Sequence, residues 1–189
     1  MLATFVAVIV AVIPVGALAH VGGAITADAC RIGQMRLKIG PLVSEKTEQH
    51  TATVTLTNLG SASCTLDGYP VIALLDSRGR ILPFIYSRRG DQMITSARPE
   101  PLHLQAGASA FFAFNKNACV SFTNRYARTL RVTLPGSRAS RSIQLPRYPI
   151  IDYCQGNDPG ATVTVSPIGR TRAEAFCQSQ GACRRGRSG

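Results

Sequence analysis

The chain of 189 residues carries 21 Lys and Arg against 10 Asp and Glu, a formal net charge of +11. Its length suits one domain with a single substantial core, so no second domain is predicted. It contains no G-x-S-x-G, H-E-x-x-H, phosphate-loop or dinucleotide-binding motif. We therefore expect a protein that is not an enzyme and that uses no cofactor and no metal.

The first segment, residues 2–18, is uncharged and almost wholly apolar, and it runs into the triplet Ala17-Leu18-Ala19. This pattern predicts a secretory signal peptide over residues 1–19. A second Ala-x-Ala triplet extends it to residue 29 as the alternative. An uncleaved membrane anchor is the competing interpretation, and it is the only way in which we expect the chain to contact a membrane. The predicted location is secreted or associated with the cell envelope.

An even number of cysteines lies beyond this segment, which in an oxidising compartment predicts disulfide bonds. No Cys-x-x-Cys pair is present, and no histidine lies beside a cysteine, so the pattern does not favour zinc. Spacing alone leaves the connectivity open. The six predicted disulfide cysteines are Cys30, Cys64, Cys119, Cys154, Cys177 and Cys183.

The first strands are predicted by alternation of apolar and polar residues. Residues 35–39 suit an edge strand whose charged side chains face outward. Residues 51–59 predict a strand with one face buried, by Ala52, Val54 and Leu56, and the other lined by threonine. The wholly apolar run Val71 to Leu75 predicts a strand buried on both faces. Asp76-Ser77-Arg78-Gly79 then has the residues of a type I turn.

Two hairpins are predicted next. Residues 80–86 are expected to return along the apolar run, and a long polar loop follows over residues 87–101. Residues 102–104 and 109–115 are expected to pair with each other about a turn at residues 105–108. The phenylalanines on both faces of the second limb favour a central position in a sheet.

The remaining pattern completes an all-β prediction. Further short strands are indicated over residues 129–134, 142–145 and 161–165, and turn signals separate them. We predict an antiparallel β-sandwich over residues 30–168. Residues 169–189 are expected to form a basic tail in which capping-box spacing predicts one short helix, with a Cys177 to Cys183 bond holding it. Free thiols or an intermolecular bond are the alternatives for these two cysteines.

The segment T-N-L-G-S-A-S-C-T-L-D-G-Y-P, residues 57–70, resembles a secreted actinobacterial family known as domain of unknown function 4232. The resemblance continues in L-Q-A-G-A-S-A at residues 104–110 and covers about residues 29–168. It implies an exported domain with an immunoglobulin-like sandwich and no assigned function. It also implies that Cys30 pairs with Cys64 and Cys119 with Cys154, whereas the cysteines of the tail depart from the family pattern.

The positive charge is concentrated between Glu100 and Asp152, where no acidic residue occurs. Such a field attracts anionic polymers or headgroups. The competing interpretation is that these arginines are solvated surface residues. Nucleic acid is not expected as a physiological partner of an exported protein. The candidate anion-binding residues are Lys116, Arg125, Arg128, Arg131, Arg138, Arg141 and Arg147.

Two hypotheses follow for function. The first is a non-enzymatic binding module whose partner is an anionic polymer of the cell envelope. The alternative is a protein-interaction module that engages an extracellular protein through its long loops, in particular residues 87–101. The sequence makes no prediction of the oligomeric state.

Overall fold

The computed structural model describes residues 28–40, 48–121, 125–147 and 151–176. The predicted signal peptide and the predicted Cys177 to Cys183 bond lie outside these ranges. Within them, no helix is both long enough and apolar enough to cross a bilayer.

The described residues form twelve strands, one α-helix and two short 3-10 helices. The α-helix, α1, spans Arg172–Ala175, and the 3-10 helices span Ile32–Gln34 and Pro159–Ala161. The strands are β1 (Met35–Ile39), β2 (Gln49–Asn58), β3 (Cys64–Leu66), β4 (Val71–Leu75), β5 (Ile85–Ser87), β6 (Leu102–Leu104), β7 (Ser109–Asn117), β8 (Tyr126–Ala127), β9 (Thr129–Thr133), β10 (Ser140–Gln144), β11 (Ile151–Asp152) and β12 (Thr162–Val165).

The strands form two main sheets that pack into a sandwich. The larger has five strands in the order β1-β2-β7-β12-β5, and the smaller has three in the order β10-β9-β4. Two further pairs, β11-β8 and β3-β6, extend the sandwich. All neighbours are antiparallel except β12 and β5, which are parallel. The predicted all-β sandwich is confirmed, as are the edge position of β1 and the central position of β7.

The core lies between the two sheets. Its alternating residues come mainly from β2 and β7 on one side and from β9 on the other, as the period of a strand requires. The predicted inward face of β2 is confirmed. Its side chains and those packed against it are wholly or almost wholly buried: Ala52, Val54, Leu56, Phe112, Phe114, Leu130 and Val132.

The other face of β2 is also covered, which corrects the prediction that only one face is buried. Thr51 is fully buried, and its hydroxyl donates to Asn115 Oδ1 at 2.7 Å. Beyond this pair, Met93 and Ile94 of the long loop pack with Ala175 of α1. Threonine does not by itself indicate a solvent-exposed face. Its hydroxyl can form a hydrogen bond with a neighbouring strand, and its methyl group can pack against apolar side chains.

β4 is exposed only at the start of its outward face, where Val71 is followed by half-buried Ala73 and buried Leu75, so the prediction that it is buried on both faces is wrong for its first residue. Val71 is 56% exposed, whereas Ile72 and Leu74 are buried. β4 lies at the edge of the smaller sheet, and nothing described covers the start of its outer face there. Its open edge is partly closed by Tyr86, whose hydroxyl oxygen accepts a hydrogen bond from Leu74 N at 3.0 Å. An apolar run by itself does not say whether a strand is central or at an edge.

The first predicted hairpin forms only next to its turn, where Leu82 N donates to Leu74 O at 2.8 Å, and the second is wrong in its pairing. After a single bridge between Leu75 and Ile81, the chain leaves β4 and joins the larger sheet as β5. Pro83 lies in this crossing, where it has no N–H to donate to a ladder. Similarly, β6 pairs with β3, and β7 pairs with β2 over nine residues. Alternation predicts where strands lie but not which strands pair, because strand pairing depends on how the side chains pack.

The disulfide pairing implied by the family resemblance is confirmed. Cys30 is bonded to Cys64 and Cys119 to Cys154, and the described residues include no free cysteine. The predicted short helix is also confirmed, since Thr171 Oγ1 accepts a hydrogen bond from Glu174 N and caps α1.

Candidate functional site

Three separate segments meet at one end of the smaller sheet. They are the turn after β4, the connection around Arg128 before β9, and the segment that follows β10. Arg128 N donates to Leu75 O at 2.7 Å, and Leu145 N donates to Arg128 O at 2.9 Å. These backbone bonds fix the three segments side by side, so side chains that are far apart in sequence project from one surface.

Two adjoining clefts open on this surface, with volumes of about 900 and 350 Å³. They share Asp76, Ser77 and Arg128 in their walls, and we call them together the basic cleft. Positive side chains dominate, because five arginines face the one aspartate among the described lining residues. These arginines are Arg78, Arg80, Arg125, Arg128 and Arg147.

The carboxylate of Asp76 is hydrogen-bonded within its own turn. Its Oδ1 accepts hydrogen bonds from Arg78 N at 2.9 Å and Arg80 N at 3.0 Å, and its Oδ2 lies 2.8 Å from Arg80 Nη2. The Arg80 N–H is the main reason why the pKa of Asp76 lies below its ordinary value, and the Arg80 guanidinium adds to the effect. The carboxylate therefore holds the turn and cancels only part of the positive charge of the cleft.

Two of the arginines lie against aromatic rings. The guanidinium carbon of Arg125 is 4.4 Å from the centre of the Tyr153 ring, and that of Arg128 is 5.8 Å from the centre of the Tyr126 ring. Such stacking restricts the orientation of a guanidinium. The arrangement suits bidentate recognition of phosphate or carboxylate groups.

The structure divides the seven predicted anion-binding residues among three places. Arg125, Arg128 and Arg147 line the basic cleft. Arg131 lies on β9 and Arg138 in the turn after it, outside the cleft. The other two have intramolecular partners. The guanidinium of Arg141 donates to the backbone carbonyl of Met35, and Lys116 is buried.

Lys116 belongs to a second cluster, inside the sandwich. It shares the inward face of β7 with Phe112 and Phe114, and its side chain is 0% exposed. Its ammonium nitrogen Nζ lies 2.5 Å from Asp152 Oδ1 and donates to the Asp152 backbone carbonyl at 2.8 Å. Lys116 is therefore not part of the exposed basic surface.

Asp152 is held from both sides. While Oδ1 contacts Lys116, Oδ2 accepts a hydrogen bond from Cys119 N at 2.8 Å. The sulfurs of Cys119 and Cys154 lie 3.9 Å from Lys116 Nζ. Although these sulfurs lie close to the carboxylate, they are joined in a disulfide and offer no thiolate to a metal. Gly160 packs on this bond, and a Cβ there would lie 2.5 Å from Cys154 Sγ.

His50 completes the buried cluster from the neighbouring strand. It lies opposite Lys116 in the β2–β7 register, and its Nε2 is 3.8 Å from Asp152 Oδ1. Its other nitrogen, Nδ1, is buried and has no hydrogen-bond partner among the described residues. A buried polar atom without a partner is uncommon and points to strain or function.

Burial sets the direction of the pKa shift at Lys116 and His50, but not at Asp152. It lowers the pKa of Lys116, although Asp152 opposes this effect. It also lowers the pKa of His50, with a further contribution from the Lys116 charge. Burial alone would raise the pKa of Asp152, but the hydrogen bonds from Lys116 and Cys119 together with the nearby positive charge outweigh it and leave that pKa lowered. The resting pair is an ammonium and a carboxylate.

The sequence did not predict which residues would join the candidate arginines in the basic cleft, or that Lys116 would be buried beside Asp152 and His50. The sequence places Arg78 in a predicted turn and Arg80 at the start of a predicted return strand, and the antiparallel pairing of β4 with β9 that brings them to Arg128 has no local signature. The burial of Lys116 did have a signal. It continues the alternation of Phe112 and Phe114 by two residues, which is a core position in a strand.

One family model, that of Domain of unknown function (DUF4232), matches residues 30–169. The chain belongs to this family. The matched range contains both disulfides, the basic cleft and the buried cluster of Lys116, Asp152 and His50. No curated protein is similar enough in sequence to count as a relative.

Proposed function

We propose that this member of the family is a non-enzymatic binding module that holds an anionic polymer of the cell envelope in its basic cleft. The observation that carries the proposal is the convergence of five arginines from three chain segments on two adjoining clefts. Scattered solvated arginines would have no reason to share a concave surface. A chain-like ligand suits two clefts that continue into each other.

Charge and shape support the same class of ligand. The guanidinium groups match phosphate or carboxylate oxygens in pairs, and the ring contacts of Arg125 and Arg128 reduce the ordering needed on binding. Asp76 is engaged by Arg80 and so does not repel the ligand at full strength. Disulfides are typical of proteins that work in an oxidising compartment, and they support an exported location.

The test is binding to immobilised polyphosphate, with polyglutamate as a carboxylate probe, across a salt series. The variant carries Arg78→Gln, Arg128→Gln and Arg147→Gln. We expect its affinity at low salt to fall by about tenfold or more, since hydrogen bonds to charged groups contribute about 1.5 to 3 kcal/mol each. Its dependence on salt should also flatten, because fewer counterions are released.

A matched control removes the same charge elsewhere, through Arg36→Gln, Arg131→Gln and Arg138→Gln, which all lie outside the basic cleft. The control should bind nearly as well as the wild type. Equal losses in both variants would mean that net charge, rather than the cleft, attracts the polymer. Absence of binding by the wild type to either probe would refute the proposal.

The alternative is a protein partner engaged by the long loop. The loop has a fixed shape that supports this role, because Asp91 Oδ1 accepts hydrogen bonds from Met93 N and Ile94 N at 2.7 Å, and both side chains are buried. The exposed residues Arg88 and Arg89 are therefore presented on an anchored segment. Substituting both by Ser should abolish capture of a protein partner from envelope extract if this alternative holds, and should leave polyphosphate binding intact.

A further inference from the structure

Lys116 and Asp152 are placed for a chemical reaction with each other. We propose that their side chains condense spontaneously after folding to form an amide, an isopeptide bond that joins β7 to β11. This inference is independent of the proposed binding function. It rests on the enclosure of the lysine, on the groups that contact the pair, and on the histidine beside it.

The first requirement is a fixed approach of the two groups. Lys116 Nζ is 2.5 Å from Asp152 Oδ1, and its bond to the Asp152 backbone carbonyl holds it there. Aromatic rings cover the lysine: the Phe84 centroid lies 5.8 Å from Nζ, Phe84 packs edge to face on Tyr153 at 5.0 Å, and the Lys116 side chain is 0% exposed. Groups held in contact this way react as if at very high concentration.

The second requirement is a neutral amine. Removal of Lys116 from water disfavours its charged form, so the pKa of this lysine is lowered. Passing one proton from Lys116 to Asp152 along their hydrogen bond gives an amine and a carboxylic acid without changing the net charge of the pair. Because the Lys116 side chain has no contact with solvent, its neutral form is more accessible than that of a surface lysine, and the neutral amine is nucleophilic.

The third requirement is stabilisation of the carboxyl oxygen during attack. Cys119 N donates to Asp152 Oδ2 at 2.8 Å, and this backbone N–H is fixed by the adjoining disulfide. Negative charge develops on such an oxygen when nitrogen adds to the carboxyl carbon. A preorganised N–H donor at that position stabilises it.

His50 supplies a route for the proton. Its Nε2 lies 3.8 Å from Asp152 Oδ1, the oxygen nearest to the amine, and its lowered pKa keeps the imidazole neutral. A neutral imidazole can take the proton from the attacking nitrogen and deliver it to the departing hydroxyl.

The reaction balances without any co-reactant. The lone pair of Lys116 Nζ forms a bond to Asp152 Cγ, and the bond from Cγ to the protonated oxygen breaks. The hydroxyl leaves with the proton that the nitrogen gives up, so one water molecule is released. No atom is oxidised or reduced.

The deciding experiment is peptide mapping of the purified wild-type chain after complete reduction, alkylation and denaturation. We expect trypsin to leave the bond after Lys116 uncut. We also expect one branched peptide that contains Lys116 and Asp152 and lacks one water molecule. Recovery of the two segments as separate peptides of full mass would overturn the proposal. Because the branched peptide is sought in the wild-type protein, the test does not depend on whether a variant folds.

Variants then assign the bond. Lys116→Arg should restore the full mass, and a mass deficit that persists in this variant would overturn the assignment. Lys38→Met is the matched control, since Lys38 is exposed on β1, and it should retain the branched peptide. Loss of the branched peptide in Lys38→Met would equally contradict the proposal.

The proposed role of His50 in proton transfer is tested by the rate of amide formation and its dependence on pH. In cell-free synthesis, His50→Gln should accumulate the branched peptide several-fold more slowly than the wild type, and the rate should lose its dependence on pH across the titration range of histidine. The titratable groups that face His50 are Lys116 and Asp152, and both remain in this variant. An unchanged rate and pH profile would remove His50 from the reaction.

Discussion

Among the described residues, two aspartates are each paired with a basic side chain, which is a buried lysine in one pair and an exposed arginine in the other. Asp152 contacts Lys116, whose side chain is wholly buried, whereas Asp76 contacts Arg80, whose side chain is 66% exposed. The distances are similar, at 2.5 and 2.8 Å. Solvent screens the charge of Arg80, whereas Lys116 has no contact with solvent and depends on Asp152 for its counter-charge.

The comparison shows that the same pairing of residue types has opposite consequences in the two places. Removing one partner of a buried pair leaves an uncompensated charge in a medium that cannot solvate it. Removing one partner of an exposed pair mainly frees the other to interact with solvent. The predictions below test this difference in order of decreasing effect.

Asp152→Ala should have the largest effect. It leaves the Lys116 amino group buried with no carboxylate to pair with or to form the amide, and we expect the free energy of unfolding to fall by about 3 to 5 kcal/mol. Urea denaturation measures this loss. The double variant Lys116→Met with Asp152→Ala should recover part of it because no buried charge remains. Asp76→Ala should cost far less, and equal costs at the two aspartates would contradict the comparison.

The two disulfides should differ although their loops are nearly equal, with sequence separations of 34 and 35. Replacing Cys30 and Cys64 by Ala should cost about 3 to 4 kcal/mol on the chain-entropy account. Replacing Cys119 and Cys154 should cost clearly less, because an amide between residues 116 and 152 would still close almost the same loop. Equal losses in denaturation would argue against the amide.

His50 should make stability depend on pH. Burial, followed by the Lys116 charge, lowers its pKa in the folded protein, while Asp152 opposes the shift. The unfolded chain therefore takes up a proton first as the pH falls. The contribution of His50 to the free energy of unfolding is complete above the ordinary histidine pKa of about 6.5. It is lost as the pH falls through that value toward the lower pKa of His50 in the folded protein. His50→Gln should flatten this slope in unfolding measurements, and an unchanged slope would contradict it.

Arg80→Gln should have the smallest effect on stability. The pKa of Asp76 should rise toward its ordinary value, but only in part, because the backbone N–H groups of residues 78 and 80 still donate to it. The contribution of Asp76 is present above the ordinary carboxyl pKa and is lost as the pH falls through its lowered folded value. An NMR titration of Asp76 measures the shift, and Arg78→Gln, which keeps the same backbone donors, is the control.

Much of the fold was predictable because alternation and turn chemistry are local. The inward residues of β2, the edge position of β1, the turn at Asp76 and the cap of α1 at Thr171 all depend on neighbours within a few residues. The hairpin errors have the opposite origin. The partners of β6 and β5 are chosen by burial between sheets, and no stretch of sequence contains that information.

The candidate site, like the fold, was predictable from the sequence only in part. The excess of arginine after Glu100 was visible in the sequence, and three of the predicted residues do line the basic cleft. Arg78 and Arg80 join them only through the pairing of β4 with β9. The contact of Lys116 with Asp152 and His50 brings together residues from three different strands, which only the folded chain reveals.

The order of the two disulfides along the chain bears on how the protein matures. Cys30 bonds to Cys64 and Cys119 to Cys154, so each bond joins two cysteines that follow one another along the chain, and the two loops neither overlap nor nest. When such a chain enters an oxidising compartment with its N-terminus first, each cysteine of these pairs meets its correct partner before the next pair arrives. An oxidase that joins cysteines in the order of their arrival gives the native bonds among these four, and no isomerase is needed to exchange them.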